Sequence, residues 1–136
     1  MRRKTMLGFQ PPAVGEEEIA AVADAIRSGW LTTGPRAAEL EERLCDYLEA
    51  EHVLAVSSGT AALHLSLVAL GVGPGDEVIT SPITWPATAN VIVHTGATPV
   101  FVDVRDDDLN LDPERVAEAV TERTKAIVPV HLAGQP

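Results

Sequence analysis

The carboxyl-terminal part of the sequence alternates short apolar runs with longer segments of helical composition, and this alternation restricts the possible fold more than any other feature. The apolar runs are continuous, as in strands that are buried on both faces. Such strands are typical of a parallel sheet covered by helices. We therefore predict a three-layer α/β fold with a mostly parallel sheet flanked by helices. Its strands are expected at 53–56, 77–80, 98–104 and 126–130, and its helices at 60–70, 86–95 and 112–120.

Proline and glycine mark the ends of these predicted helices. Pro86 and Pro113 suit first helical turns, and Gly71 and Gly96 suit the positions after last turns. The helix at 60–70 is apolar on nearly every side, so we expect other elements to cover it on two sides. Pro129 cannot donate to a neighbouring strand, which places it near the end of the last strand.

Two amphipathic helices are predicted in the amino-terminal part, after an irregular segment at 1–14. The first covers residues 16–28 and stops at Gly29, and the second covers residues 36–49. Cys45 lies beside the apolar stripe of the second helix and reads as a small side chain at the edge of a core. Ile19, Val22, Ala23 and Ile26 share one face of the first helix. In the second helix, we expect the apolar stripe to be buried: Ala37, Leu40, Leu44 and Leu48.

Charge and composition exclude several classes of function. The net charge of -10 argues against nucleic acid, because that contact needs clustered lysine and arginine. No segment is long and apolar enough to cross a membrane. The single cysteine excludes an internal disulfide and a cysteine metal cluster, and His52, His64 and His94 lack the spacing of metal ligands. We expect a cytoplasmic protein with no metal site.

Residues that could carry chemistry follow the predicted strands. In parallel α/β sheets, ligands bind at the carboxyl ends of the strands. Four segments are expected to meet there: residues 57–61, 81–85, 103–106 and 131–135.

Residues 57–62 form a turn of small and hydroxyl-bearing residues between a predicted strand and a predicted helix. The backbone N–H groups and the dipole at such a helix start suit a phosphate group. The segment has neither the Gly-Lys-Ser/Thr ending of a Walker loop nor the dinucleotide GxGxxG pattern. From these residues alone, a phosphate site and a simple tight turn are equally good interpretations.

Three further side chains are candidates at the same edge, each with a structural alternative. Trp85 could stack on a planar ring, although a core or interface tryptophan is the more common case. His131 could contact a ligand or be a hydrogen-bonded structural residue. Asp103 could bond loop N–H groups without any catalytic role. The acidic run at 106–108 reads as a solvated loop.

The two lysines are poorly placed for covalent chemistry at that edge. Lys4 lies in the amino-terminal tail, and Lys125 begins a strand and should therefore lie at the opposite edge. No catalytic residue is assigned in this chain.

Several of these segments, in this order, resemble the DegT/DnrJ/StrS family of sugar aminotransferases, pyridoxal-phosphate enzymes of the aspartate-aminotransferase fold (fold type I). The resemblance extends over nearly the whole chain from Pro11 onward. It rests on residues 29–35 (GWLTTGP), 56–63 (VSSGTAAL), 73–79 (GPGDEVI), 84–90 (TWPATAN), 96–104 (GATPVFVDV) and 130–136 (VHLAGQP).

The resemblance implies a site and an activity. Gly59, Thr60 and Ala61 would hold the phosphate of pyridoxal 5'-phosphate, and Trp85 would stack on its pyridine ring. A second set, Thr33, Gly34 and Pro35, would border a sugar-nucleotide site. Family members are homodimers that move an amino group, commonly from glutamate, to a keto-sugar nucleotide. Residues 1–35 would form an arm, the first helix and the substrate-side loop, and residues 36–136 the amino-terminal part of the cofactor-binding domain.

The catalytic lysine of the family lies downstream of the matching segments. We therefore expect this chain to correspond to the amino-terminal part of such an enzyme, as a truncated product that is inactive and poorly folded by itself, with exposed sheet edges. The alternatives are a dehydratase of the same family, a non-catalytic binding or dimerisation module, and a nucleotide-binding α/β domain unrelated to pyridoxal phosphate.

Overall fold

The computed structural model describes residues 12–136. The predictions for residues 1–11, including Lys4, lie outside the described residues. The described residues divide into two compact units, with residues 12–55 in the first and residues 56–136 in the second.

The described part of the first unit contains the two predicted helices. Helix α1 is Glu16–Ser28 and helix α2 is Pro35–Leu48. The start of α1 is stabilised because the Gly15 N–H donates to Glu18 Oε2 at 2.7 Å. This bond lowers the pKa of the Glu18 carboxyl. Gly29, with φ of 75°, ends the helix in the left-handed conformation that favours glycine.

The expected burial of the apolar stripe of α2 is wrong, and the apolar face of α1 is not buried either. Neither α1 nor α2 contains a buried residue. Ile19, Val22 and Ile26 are exposed in α1, as are Leu40 and Leu48 in α2. The helical periodicity was enough to specify the helices, but burial also requires a packing partner, which the sequence of a helix does not supply by itself.

The second unit contains the α/β alternation. Its elements are α3 (Gly59–Ala69), β1 (Glu77–Thr80), α4 (Pro86–His94), β2 (Thr98–Phe101), α5 (Pro113–Ala119), β3 (Thr124–Val128) and a 3₁₀ turn at Leu132–Gly134. The three strands form one sheet in the order β2-β1-β3, and both pairs are parallel. The predicted α/β architecture with a parallel sheet flanked by helices is confirmed.

The predicted strand at 53–56 is wrong. Within residues 12–136 the residues at 53–56 belong to no sheet, and the hydrogen bond found between them and another segment runs from the Ala55 N–H to Glu41 Oε1 at 2.8 Å. An apolar run becomes a strand only when a neighbouring strand accepts its backbone hydrogen bonds, and residues 12–136 offer none here. The strand predicted at 98–104 ends earlier, at Phe101, and the strand predicted at 126–130 has the expected length but begins two residues earlier, so that Pro129 lies just after β3.

The core of the second unit lies between the helices and the central strand. All four residues of β1 are buried. The main cluster consists of Leu67, Val72, Val78, Val91, Ile92 and Ala97. Helix α3 contributes one buried residue, Leu67, whereas Leu65 and Val68 are exposed. The expectation that α3 is covered on two sides is therefore wrong for the described chain.

A buried carboxylate fixes the amino edge of the sheet. Glu77 accepts from Thr121 Oγ1 at 2.6 Å and forms an ion pair with Arg123. The Glu77 N–H donates to the Arg123 carbonyl at 2.8 Å. These contacts join the start of β1 to the turn that precedes β3, where the register between the two strands shifts.

Candidate functional site

The carboxyl end of β1 leads into a short, well-bonded loop. Ser81 is buried, and its Oγ accepts from the Ile83 N–H at 2.9 Å. Thr84 and Thr88 share a hydroxyl hydrogen bond of 2.8 Å. Thr80 Oγ1 donates to the Val128 carbonyl at 2.9 Å, which joins the carboxyl ends of β1 and β3. The loop at 81–85 is thus held in one conformation beside the end of β3.

Trp85 is the last residue of this loop and the N-cap of α4. Its carbonyl accepts from the Thr88 N–H at 3.0 Å, so the backbone is fixed. The side chain, in contrast, is 79% exposed. A large flat indole on a rigid backbone is available for offset stacking on a planar ligand.

The start of α3 offers unpaired backbone donors. Ser58 is the N-cap, and its Oγ accepts from the Ala61 N–H at 3.1 Å. The Ala62 N–H donates to the Ser58 carbonyl at 3.0 Å. Within residues 12–136, no acceptor is found for the N–H groups of Gly59 and Thr60. An anion at this helix start would meet two free N–H groups and the positive end of the dipole.

The space around Gly59 is large enough for such an anion. A Cβ placed on Gly59 would have no atom of another residue within 4 Å, apart from its chain neighbours and the backbone of its own helix. The first turn of α3 carries no acidic residue that would repel a negative charge. The residues present therefore fit a phosphate group.

Chain connections place the starts of α3 and α4 toward the same edge of the sheet. Helix α4 begins directly after the carboxyl end of β1. Helix α3 packs against α4 and leads into the amino end of β1 through the turn at 71–76, where the Gly73 N–H donates to Asp76 Oδ2 at 2.9 Å. Its own start therefore points toward the carboxyl edge.

Two weaker candidates make few contacts in the described chain. Asp103 bonds the Val104 N–H at 2.9 Å and lies 3.6 Å from Arg115, so its carboxylate acts locally at the protein surface. His131 is exposed, and its carbonyl accepts from the Gly134 N–H at 3.0 Å. Lys125 is exposed near the amino end of β3, at the edge away from Trp85.

Asn110 is a polar residue of this edge that the sequence reading missed. It is 8% exposed, and both ends of its amide are hydrogen-bonded. Nδ2 donates to the Gln135 carbonyl at 3.1 Å, and Oδ1 accepts from the Leu132 N–H at 3.1 Å. An asparagine in a loop reads as a turn residue, and nothing in its neighbourhood points to partners 22 and 25 residues away.

The acidic loop before Asn110 is more ordered than the solvated loop that was expected. Asp108 accepts from the Asn110 N–H at 3.0 Å and forms an ion pair with Arg105. The hydrogen bond from the Asn110 N–H is the largest single cause that lowers the pKa of the Asp108 carboxyl, and Arg105 lowers it further. The same pair raises the pKa of the Arg105 guanidinium.

The three residues expected beside a sugar nucleotide belong to the first unit. Trp30 Nε1 donates to the Thr33 carbonyl at 2.9 Å, which folds the indole over the loop. A Cβ on Gly34 would collide with the Trp30 indole. Glycine is therefore required at position 34 if the indole keeps this place, and Pro35 begins α2 immediately afterwards.

Neither a metal centre nor a membrane segment is found in residues 12–136. No group of three or more histidine, cysteine, aspartate or glutamate side chains there is arranged to hold a metal ion. No helix in this range has the length and apolar character needed to cross a bilayer.

A parallel sheet flanked by helices, with an exposed indole after its central strand, defines an α/β protein. Residues 12–136 match the model of the DegT/DnrJ/EryC1/StrS aminotransferase family. The chain belongs to this family.

Named relatives agree with that assignment. The chain is 52% identical over 134 residues to the spore coat polysaccharide biosynthesis protein SpsC of Bacillus subtilis, an alignment that covers 98% of this chain and 34% of SpsC. Spr1654 of Streptococcus pneumoniae, described as a sugar aminotransferase and solved in a PLP-form, is 48% identical with a TM-score of 0.89, over 96% of this chain and 33% of that one. DesV of S. venezuelae, in complex with a ketimine intermediate, is 44% identical with a TM-score of 0.81, over 88% and 32%.

The chain therefore spans about a third of the length of these relatives. The resemblance predicted from the sequence motifs is confirmed.

Proposed function

We propose that this chain binds pyridoxal 5'-phosphate and acts in the transfer of an amino group to a keto-sugar nucleotide. The observation that carries the proposal is the presence, toward one edge of the sheet, of free N–H groups at Gly59 and Thr60 and of an exposed Trp85. Family membership and the PLP- and PMP-forms of Spr1654 support the choice of cofactor.

In this proposal the first turn of α3 binds the cofactor phosphate. The N–H groups of Gly59 and Thr60 donate to it, and the hydroxyl of Thr60 adds a third donor. The N–H of Ala61 also faces this end of the helix, and it donates to Ser58 Oγ in the present structure. A phosphate that engages Ala61 would therefore share this N–H with Ser58 or replace Ser58 as its acceptor.

Trp85 stacks on the pyridine ring and fixes its plane. Because the loop at 81–85 is held by the Ser81 and Thr84 hydrogen bonds, stacking costs little ordering of the backbone. When bound, pyridoxal phosphate supplies the electron sink for moving an amino group.

The substrate side of the proposal rests on the first unit and on the relatives. Thr33, Gly34 and Pro35 border the keto-sugar nucleotide, with the loop shaped by the Trp30 indole. The name of SpsC associates that relative with polysaccharide biosynthesis, and we propose a sugar of such a pathway as substrate and glutamate as amino donor. We also propose that the protein acts as a homodimer.

The proposal assigns no catalytic residue to this chain. Lysines occur at positions 4 and 125, and the one in the described residues lies at the amino edge of the sheet. Cofactor and substrate binding are thus the roles proposed for these 136 residues.

A titration with non-covalent cofactor analogues tests the proposal. Pyridoxine 5'-phosphate lacks the aldehyde that reacts with surface amines, so its binding by calorimetry reports the site alone. We expect saturable binding of pyridoxine 5'-phosphate, and binding of pyridoxine weaker by about tenfold or more because the phosphate contacts are lost. Equal binding of both compounds, or preferential binding of NAD, would refute the proposal.

A further inference from the structure

Asn110 connects two segments of the chain that leave different strands of the sheet. Its backbone lies in the loop after β2, where the Arg105 N–H donates to the Asn110 carbonyl at 2.9 Å. Its side chain bonds the segment after β3 through Leu132 and Gln135. Both the amide nitrogen and the amide oxygen of Asn110 have a hydrogen-bond partner in this segment, each at 3.1 Å.

The strand order determines where these two segments meet. Strand β1 lies between β2 and β3. A loop from β2 and a segment from β3 that are joined by one side chain must therefore meet beside the carboxyl end of β1. That end carries the loop at 81–85 and Trp85.

The segment at 131–135 also has a backbone that needs support from outside. Ala133 has φ of 56°, in the left-handed region that is unfavourable for a residue with a side chain. The two hydrogen bonds from Asn110 lie on either side of Ala133, at Leu132 and Gln135. They hold the segment in this conformation.

We propose that Asn110 is a positioning residue for the cofactor site: its side-chain amide holds residues 131–135 beside the carboxyl end of β1, where they border the ring that stacks on Trp85. The inference rests on the proposed function, because it takes the stacked ring to be that of pyridoxal phosphate. Asn110 itself touches neither cofactor nor substrate.

The test combines ligand affinity with local hydrogen exchange in the 136-residue chain. Asn110→Ala removes both side-chain bonds. Asn110→Asp keeps an acceptor for the Leu132 N–H but loses the donor to Gln135. We expect the Kd for pyridoxine 5'-phosphate to rise about threefold to tenfold in Asn110→Ala, with a smaller rise in Asn110→Asp. Exchange of the Leu132 N–H should accelerate in the alanine variant and stay slow in the aspartate variant.

Glu77→Gln is the matched control, because it weakens another long-range polar contact of the same sheet but at the amino edge. Glu77→Gln should lower the melting temperature and leave the Kd for pyridoxine 5'-phosphate within about twofold of the wild type. If Asn110 had a purely structural role, Asn110→Ala would likewise lower the melting temperature and leave the Kd unchanged. An unchanged Kd in both Asn110 variants, or an equal rise in Glu77→Gln, would overturn the inference. Absence of saturable binding by the wild-type chain would instead refute the proposed function, and the inference with it.

Discussion

The two units contain helices of similar design, yet their apolar side chains meet different surroundings. In α1, Val22 and Ile26 follow the helical period and are exposed. In α4, Val91 and Ile92 are fully buried because the helix packs on β1 and β2 and against α3. Sequence periodicity determines that a helix forms, but burial depends on the elements that the chain places beside it.

The same contrast holds for the charged residues. Exposed ion pairs of the first unit, such as Arg36 with Glu39, link neighbouring turns of one helix. In the second unit, Glu77 is buried and joins segments more than 40 residues apart. The second unit therefore has long-range contacts that a single substitution can break, whereas α1 and α2 offer few such targets.

The largest effect on the free energy of unfolding is expected from replacing one isoleucine in each unit by alanine. Ile92 is 0% exposed and Ile26 is 61% exposed, and both lie within helices. Ile92→Ala should lower the free energy of unfolding by about 2–5 kcal/mol, and Ile26→Ala by about 0.5 kcal/mol or less. Urea denaturation followed by circular dichroism measures both; similar losses would contradict the difference between the units.

A smaller effect is expected from removing one carboxylate charge in each unit. Glu77→Gln should cost about 1–3 kcal/mol of unfolding free energy, because the hydrogen bond from Thr121 and the Arg123 ion pair both involve the buried charge. Glu39→Gln, in an exposed pair, should cost about 0.5 kcal/mol or less. If the Glu39 variant proves as unstable as the Glu77 variant, the assigned role of Glu77 is wrong.

Helix boundaries were predictable because local residues determine them. Pro86 and Pro113 occupy first helical turns as expected, and Gly29 follows α1 in the left-handed conformation. The α/β class was also predictable, since continuous apolar strands favour a parallel sheet.

The errors concern features that depend on distant parts of the chain. Residues 53–56 have the composition of a strand but no partner strand within the described chain. The sequence predicted the strand that Glu77 begins but no role for its side chain, and it gave no role to Asn110, because the partners of both side chains are more than 20 residues away. The roles of Gly59, Thr60, Ala61 and Trp85 stay predictions, supported by free N–H groups and an exposed ring.

The smallest expected effect is on the pH dependence of stability, through Asp108 in the loop at 105–110. The pKa of the folded Asp108 carboxyl lies below its value of about 3.9 in an unfolded chain. The ionised Asp108 therefore contributes fully to the stability of the fold at a pH above the unfolded pKa. This contribution is lost as the pH falls through the lower pKa of the folded state. Asp108→Asn should make the loss of stability at acid pH shallower, as measured by urea melts from about pH 6 to pH 3.

Asp106→Asn is the control for this loop, since no hydrogen bond or ion pair of Asp106 is found within residues 12–136. Its acid profile should match that of the wild type. A profile of Asp108→Asn that also matches the wild type would show that the Asn110 and Arg105 contacts do not stabilise the fold.

The most direct test of the cofactor site uses the two tryptophans, one in each unit. Calorimetric titration with pyridoxine 5'-phosphate should show a Kd about fivefold to thirtyfold higher for Trp85→Ala, as the ring loses its stacking partner. Trp30→Ala, which changes the loop at 30–35, should leave that Kd within about twofold. Equal effects of the two substitutions, or none from Trp85→Ala, would contradict a cofactor site at the carboxyl edge of β1.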